Sequence, residues 1–217
     1  MQVLFLGDSI TDAGRDRSDC HIMGPGYPGF AVRALAEKLP EAQFKAAEFL
    51  NWGISGFRAV DVLNQWNAQK DGTDPDIVTL MIGINDVWRK YDNNDPTSPE
   101  LYEERLCRLM ESLTAEKRAR VIVIEPYYVE RGRLNLPYVP EGADPDNCMR
   151  SDVNEMIAAA RRVARRYASA LMPADGLMHQ WWLNTDADLL TPDGVHPGQG
   201  GAELLGRYLA ELIIKTI

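Results

Sequence analysis

The sequence predicts an α/β protein in which a five-stranded parallel sheet lies between two layers of helices, an αβα sandwich. Apolar runs that end in glycine, such as 3–6 before Gly7 and 77–82 before Gly83, are typical of buried parallel strands. Segments with helical spacing alternate with these runs, which indicates parallel strands joined by helices. The 217 residues contain no repeat or linker, so residues 1–217 are expected to form one domain.

The first half of the chain contains the first three predicted strands. A polar loop over 12–28 separates the first strand from the first long helix. Glycine-bearing turns follow the strands, as expected where a strand passes into the next element. The patterns after the loop predict, in order, a helix over 30–39, a strand over 44–51, a helix over 59–66 and a strand over 77–82.

The second half contributes the remaining two strands and four helices. Ser98 and Pro99 are typical of a helix start, as N-cap and first helical residue. The irregular segment 126–148 holds four prolines, and a segment of this length is usually functional or mobile. The predicted elements are a helix from Pro99 to about Lys117, a strand over 120–125, helices over 151–167, 176–184 and 198–217, and a weak strand over 168–172. The inner face of the first of these helices is predicted to carry Leu101, Leu106, Leu109, Met110 and Leu113.

The composition limits the kinds of binding partner and the cellular compartment that can be expected. The formal net charge of −9 argues against binding to nucleic acid or to an anionic membrane, and is compatible with a neutral sugar ester. The first strand begins near residue 2, which leaves no room for a signal peptide, and a cytoplasmic protein is expected. The cysteines Cys20, Cys107 and Cys148 are odd in number and widely spaced, so no disulfide framework is expected.

Ser9 stands at the turn that closes the first strand. The carboxyl edge of a parallel sheet is where ligands bind, and a serine there can present its hydroxyl as a nucleophile. The alternative is that Ser9 only caps the following helix, since Ser and Asp are favoured there. Asp8 is expected to hold this turn and is also a candidate for substrate binding.

The turns after the first three strands share one edge of a parallel sheet, which brings Ser9, Gly53 and Asn85 together. Ser9 offers its amide, Gly53 an amide with no Cβ in the way, and Asn85 a side-chain amide. Together they could bind the oxyanion of a tetrahedral intermediate. Taken singly, Gly53 could be an ordinary turn glycine and Asn85 could cap its own turn.

A serine nucleophile needs a base, and the chain has three histidines. His196 follows Asp193 by three residues in a loop before the last helix, so that Asp193 could orient the ring towards Ser9. The alternative is a loop histidine beside an incidental acid. His21 and His179 have no comparable acid and serine, and are interpreted as structural or substrate-side residues.

These blocks, in this order, resemble the SGNH hydrolases, the GDSL esterase/lipase superfamily. The resemblance implies a flavodoxin-like fold with strand order 2-1-3-4-5 and no metal or organic cofactor. It implies Ser9 as nucleophile, His196 as base and Asp193 as its orienter, with Gly53 and Asn85 joining the Ser9 amide as oxyanion donors. The matching blocks are Gly7-Asp8-Ser9-Ile10, Gly53, Gly83-Ile84-Asn85-Asp86 and Asp193-Gly194-Val195-His196.

Three further segments, 10–15, 24–27 and 81–89, resemble the intracellular bacterial acetylxylan esterases of this superfamily. Those enzymes remove acetyl groups from sugar hydroxyls, and some form homo-oligomers. Tyr27, Trp88 and Trp182 could serve as platforms for a sugar ring, the alternative being packing in the core. The segment 127–148 is longer than the corresponding connection of these relatives and leaves the sugar preference open.

The sequence therefore predicts a serine esterase that deacetylates a small carbohydrate. A lysophospholipase or thioesterase is the alternative among enzymes, although no long apolar stretch suggests a tunnel for an acyl chain. A non-catalytic flavodoxin-like binding or signalling module is the alternative of another class. Such a receiver domain requires a lysine late in the sheet, and no lysine stands directly after the fourth or fifth strand here.

Overall fold

The computed structural model describes residues 1–217 and contains one sheet of five parallel strands. The strand order is β2-β1-β3-β4-β5, and every neighbouring pair is parallel. The predicted fold class and strand order are therefore confirmed. The strands are β1 (Gln2–Gly7), β2 (Glu48–Asn51), β3 (Ile77–Met81), β4 (Arg120–Ile124) and β5 (Ala170–Met172).

Ten α-helices connect and cover these strands. One layer contains α2 packed against α10, and the other contains α6 packed between α4 and α7. A 3₁₀ turn over Lys70–Gly72 follows α4, and a π-helical turn over Ser112–Glu116 follows α6. The helices are α1 (Ser9–Asp12), α2 (Tyr27–Lys38), α3 (Glu41–Lys45), α4 (Ala59–Gln69), α5 (Ile84–Asp92), α6 (Pro99–Glu111), α7 (Pro145–Tyr167), α8 (Ala174–Trp182), α9 (Ala187–Leu190) and α10 (Gln199–Thr216).

Two helices begin earlier than the sequence pattern indicates. Helix α2 begins at Tyr27 rather than at residue 30, and α7 at Pro145 rather than at residue 151. In α7 the Asp144 side chain accepts the Asn147 amide, and Pro145 occupies a first-turn position where its missing N–H costs nothing. The prediction counted Pro145 as part of the irregular segment, which instead ends at residue 144.

Other predicted elements need correction. Phe44 belongs to α3, so the predicted strand over 44–51 is reduced to the four residues of β2. The turn after β3 is the start of helix α5, which the sequence pattern did not indicate. Leu101 is exposed rather than core-facing because it lies one residue out of step with the buried stripe of α6. Tyr102 lies in that stripe, and its hydroxyl donates to the Ile82 carbonyl at 2.9 Å.

The hydrophobic core forms one cluster of 53 buried residues on both faces of the sheet, so it supports the strand ends from both sides. Val3 to Leu6 of β1 are fully buried, as expected for a central parallel strand. The three cysteines are unpaired, in agreement with the prediction. None of the helices is both long enough and apolar enough to cross a membrane.

Candidate active site

Ser9 lies at the carboxyl end of β1, on the first residue of α1. Gly7 makes this turn possible, because a Cβ there would lie 2.2 Å from Thr11 Oγ1 and 2.5 Å from the Met81 carbonyl oxygen. The cap of α1 is Asp8, whose Oδ1 accepts the Ile10 amide at 3.0 Å. Ser9 is therefore not the cap, and its hydroxyl is free for another partner.

That partner is His196, from the loop before α10. Ser9 Oγ lies 2.9 Å from His196 Nε2, and His196 Nδ1 lies 2.7 Å from Asp193 Oδ2. The other oxygen of Asp193 accepts the backbone amides of Val195 at 2.9 Å and His196 at 2.7 Å. One carboxylate thus shapes the loop and orients the imidazole. The structure brings together the serine, histidine and aspartate that the sequence singled out.

Gly194 allows the same loop to pack closely. Its φ of +93° is in the left-handed region, and a Cβ would lie 2.1 Å from the Val129 carbonyl oxygen. The Val129 amide in turn donates to the Gly194 carbonyl at 2.9 Å. The buried start of the irregular segment, residues 127–129, therefore supports the histidine loop. No residue of the segment 126–148 lines a cavity beside Ser9.

The electrostatics of the loop fit a histidine base. The hydrogen bond to Asp193 raises the pKa of His196 above its ordinary value, although burial acts in the opposite direction. Burial raises the pKa of Asp193, but hydrogen bonds from the His196 side chain and from two backbone amides outweigh this and lower it. Asp193 therefore stays ionised beside the imidazole and stabilises its protonated form.

A cavity of about 150 Å³ lies on one side of the Ser9–His196 pair. Asn85, the second residue of α5, lines it, and its Nδ2 donates to the Phe57 carbonyl at 3.0 Å, which leaves one hydrogen unused. The ring of Trp88 lies 6.0 Å from the His196 ring, centre to centre, and forms a wall. The remaining lining residues are Ser55, Gly56 and Arg89.

Gly53 does not line this cavity, and its predicted role needs correction. Its amide donates to Asn51 Oδ1 at 2.9 Å, and a Cβ would lie 2.6 Å from the Asp12 nitrogen. Gly53 is thus a packing glycine beneath α1. Gly56 from the same turn lines the cavity instead, with a φ of +84° and an amide that donates to no protein acceptor. The two glycines stand three residues apart, and nothing in the sequence pattern distinguished them.

The four residues predicted as candidates for substrate binding lie in different places in the structure. Tyr27 is 1% exposed, and its hydroxyl lies 2.9 Å from Thr11 Oγ1, so it is a core residue. Asp8 is also 1% exposed and cannot touch a substrate. Trp182 is exposed near the end of α8 and lines neither cavity beside Ser9. Of the four, only Trp88 lies next to the candidate site.

His21 and His179 bind carboxylates away from Ser9. The His21 ring lies between Asp19 and Glu48 on the surface, and His179 Nε2 lies 3.0 Å from Glu130 Oε2. Neither lines a cavity beside Ser9. Both contacts agree with the structural interpretation of these histidines.

A second and larger cavity of about 530 Å³ lies on the other side of the Ser9–His196 pair. It is bounded by the N-terminal ends of α2 and α10, with Phe30 and Arg33 from the first and Gln199 from the second. The sequence analysis did not single out these residues. Their only signal was their place at the start of two helices, which does not reveal that the helices pack side by side.

A Ser–His–Asp arrangement at the carboxyl edge of a parallel sheet is characteristic of α/β enzymes that hydrolyse esters. The family model of the GDSL-like lipase/acylhydrolase family matches residues 5–204. The chain belongs to this family, and the protein is a carboxylic ester hydrolase.

Several relatives cover nearly the whole chain. An acetylxylan esterase from Geobacillus stearothermophilus is 29% identical over 97% of this chain and 93% of its own length. A crystal structure of a GDSL-like lipase from Parabacteroides merdae has a TM-score of 0.83 at 25% identity, covering 99% of this chain and 94% of the other. The hydrolase LAE5, from the metagenome of Lake Arreo, has a TM-score of 0.79 at 30% identity, covering 96% and 93%.

Proposed function

We propose that the protein is a serine esterase that removes acetyl groups from carbohydrates. The observation that carries this proposal is the hydrogen-bonded series Ser9–His196–Asp193 beside a cavity of about 150 Å³. A series of this kind activates a hydroxyl, and a small cavity limits the acyl group that can be attacked. The acetylxylan esterase of Geobacillus stearothermophilus supports the choice of an acetylated sugar as substrate.

Acylation begins at Ser9. Its Oγ attacks the ester carbonyl carbon while its proton passes to His196 Nε2, 2.9 Å away. Asp193 holds His196 Nδ1 and stabilises the imidazolium that forms. The tetrahedral intermediate then collapses, the bond between the carbonyl carbon and the sugar oxygen breaks, and His196 gives its proton to that oxygen.

Deacylation repeats these steps with water. His196 takes a proton from a water molecule, whose oxygen attacks the acetyl carbon bonded to Ser9 Oγ. The intermediate collapses with return of the proton to Ser9, and acetate leaves. One histidine thus acts as base and acid in turn.

Three N–H donors are available for the oxyanion of each intermediate. They are the amide of Ser9, the amide of Gly56 and the unused hydrogen of Asn85 Nδ2. All three residues line the small cavity, which supports binding of the acyl carbonyl on this side of Ser9. Gly56 here takes the role that the sequence assigned to Gly53.

The size of this cavity favours acetyl over long acyl groups. A cavity of about 150 Å³ holds a molecule of roughly the size of benzene. Trp88 and Arg89 are the bulky side chains of its wall, and we expect them to hinder a long acyl chain. Trp88, beside His196, remains the one predicted aromatic that could contact a substrate. Relatives of known structure include catalytic mutants in which a serine, an aspartate or a histidine is replaced by alanine.

The first test is Ser9→Ala with 4-nitrophenyl acetate. We expect kcat to fall by about 10⁴-fold or more, because no other group can form the acyl-enzyme. Circular dichroism should show an unchanged fold. Ser151→Ala on the exposed side of α7 is the control and should keep full activity. Full activity of Ser9→Ala would exclude the proposed nucleophile.

The second test compares acyl groups and alcohols. With 4-nitrophenyl esters, kcat/KM should fall as the acyl chain grows from acetyl to octanoyl. A preference for the longer chains would instead indicate a lysophospholipase or thioesterase. Acetate release from acetylated xylo-oligosaccharides, measured beside other acetylated sugars, then tests the carbohydrate directly. Absence of acetate release from every sugar, with intact activity on 4-nitrophenyl acetate, would contradict the proposed substrate class.

A further inference from the structure

The large cavity is lined by a positively charged side chain, that of Arg33, which a bound ligand could contact. Ser9 and His196 line both cavities, so a molecule bound in the large one contacts the reacting serine. The small cavity takes the acyl side in the proposed function, which leaves the large cavity for the alcohol. Its volume of about 530 Å³ is within the usual range for small-molecule sites.

Arg33 is the charged residue of this cavity other than His196 itself. Its guanidinium carbon lies 4.2 Å from the centre of the Phe30 ring, so the two side chains stack. A Cβ at Gly29 would lie 3.6 Å from Arg33 Nη1, which places the guanidinium back over the first turn of α2. The stacking on Phe30 thereby holds the guanidinium donors of this exposed side chain at the wall of the cavity.

Arg33 forms no ion pair, although acidic residues stand nearby along both helices. Glu37 follows it by one turn on α2, and Glu203 follows Gln199 by one turn on α10. Both acids bind Arg207 instead, at 3.6 Å and 2.8 Å respectively. These two carboxylates are thus paired with Arg207 and not with Arg33.

Arg33 adds a positive charge to the wall of the large cavity, in a protein whose net charge is −9. No carboxylate lines the large cavity. Helices α2 and α10 begin at its wall, and their caps Gly26 and Gly198 supply no side-chain acceptor for the first amides. The positive ends of two long helices therefore add to the charge of Arg33. The protein concentrates positive potential on the alcohol side of the reacting serine.

We infer that the enzyme prefers acetyl esters whose alcohol carries a carboxylate, such as acetylated oligosaccharides with a uronic acid unit, and that Arg33 binds this carboxylate. Guanidinium and carboxylate form two parallel hydrogen bonds, which a neutral sugar cannot provide. The inference rests on the proposed function, because that function places the alcohol in this cavity.

Binding is measured first, on the Ser9→Ala variant, so that the result does not depend on turnover. The ligands are a xylo-oligosaccharide with one glucuronic acid unit and the same oligosaccharide with that carboxyl converted to an amide. Calorimetry at low salt should give about tenfold tighter binding of the acid, a usual difference for a charged hydrogen bond. The difference should shrink at high salt. Equal affinity for the two ligands would overturn the inference.

Substitutions of Arg33, in the Ser9→Ala background, locate the effect. Arg33→Gln should abolish the preference for the acid and leave affinity for the amide unchanged, while Arg33→Glu should reverse the preference. Arg33→Lys should keep part of it, because the charge remains but the planar stacking on Phe30 is lost. Arg162→Gln, an exposed arginine paired with Glu103 on the opposite layer, is the matched control and should keep the full preference. A preference that survives Arg33→Gln would overturn the role of Arg33.

Turnover separates this inference from the proposed function. Enzyme with Ser9 intact should release acetate faster from the acetylated acid than from its acetylated amide, by the same factor of about ten in kcat/KM. Equal rates would overturn the inference and leave the carbohydrate esterase intact. Absence of acetate release from both would contradict the proposed function, and the binding data would still decide whether Arg33 selects a carboxylate.

Discussion

The two cavities beside the Ser9–His196 pair are formed by different structural elements. The small cavity is formed by turns that directly follow β2 and β3, and backbone groups and short side chains define its inner end. The large cavity is formed mainly by the N-terminal halves of α2 and α10, with exposed side chains such as Arg33. In the proposed function, groups for the chemistry thus lie on the sheet edge, and groups that contact the alcohol lie on surface helices.

The two sides also differ in what they contribute to the stability of the protein. Polar groups are buried beneath the small cavity, and Asp8 and Asp86 are 1% and 0% exposed. Burial raises the pKa of Asp8 to about 7 and that of Asp86 to about 6. No carboxylate lines the large cavity. The buried acids beneath the small cavity therefore cost folding free energy, whereas the side chains that line the large cavity can change at little cost.

Asp193→Asn should have the largest effect, because it acts on the pair that the two sides share. The asparagine can still accept the loop amides, but its NH₂ would face His196 Nδ1 and favour the wrong tautomer. We expect kcat on 4-nitrophenyl acetate to fall by about 10³–10⁴-fold with the fold unchanged. Asp186→Asn, at the exposed cap of α9, is the control and should keep activity.

The pH profile gives a second readout of Asp193. A base must be unprotonated, so activity is lost as the pH falls through the pKa of His196. The bond to Asp193 raises this pKa, so the acidic limb of the wild-type profile should lie above pH 6.5. In Asp193→Asn the limb should move to lower pH. An unchanged limb would show that Asp193 does not set the basicity of His196.

Asn85→Ala should have the next largest effect and should act on the small side alone. Loss of one oxyanion donor costs about 10²–10³-fold in kcat, with little change in KM. The factor should be the same for 4-nitrophenyl acetate and for a sugar acetate, because the donor does not face the alcohol. Asn93→Ala, at the exposed end of the same helix, is the control. A loss that depended on the alcohol would contradict the division between the two sides.

Asp8→Asn should have a smaller effect than these two substitutions, and the effect should be on the free energy of unfolding. The folded pKa of about 7 lies above the ordinary value of 3.8, so the folded state keeps a proton that the unfolded state releases. Stability contributed by Asp8 is therefore lost as the pH rises through this window. The asparagine amide of the variant does not titrate, so the variant does not lose this stability. We expect its free energy of unfolding to exceed that of the wild type by about 1–3 kcal/mol at pH 8 and by little at pH 4.

Urea unfolding at the two pH values measures this difference. Asp74→Asn, an exposed aspartate whose side chain makes no hydrogen bond, should show no such dependence on pH. Arg33→Gln, on the alcohol side, should change stability by less than about 0.5 kcal/mol at either pH. A large loss of stability in Arg33→Gln would contradict the idea that the alcohol side is built at little cost.

Most of the fold could be predicted from the sequence, because apolar runs and glycine punctuation are local signals. The errors lie where a local signal was ambiguous. Phe44 fitted a strand as well as a helix, and in the structure it lies inside the short helix α3. Leu101 fitted the apolar stripe by type, but its angle on α6 turns it to solvent. Both errors arise because the type of a residue does not determine which element it joins or which side of a helix it faces.

The sequence by itself determined Ser9, Asp193, His196 and Asn85 as candidates, since each stands in a short motif at the end of a strand or before a helix. Only the tertiary structure decided that Gly56 rather than Gly53 lines the cavity, because the Gly53 amide donates to the Asn51 side chain and Gly53 packs beneath α1. It alone removed Tyr27 to the core and placed Arg33 beside Ser9. Contacts between residues far apart in the chain depend on how helices pack, and local sequence patterns contain no information on that packing.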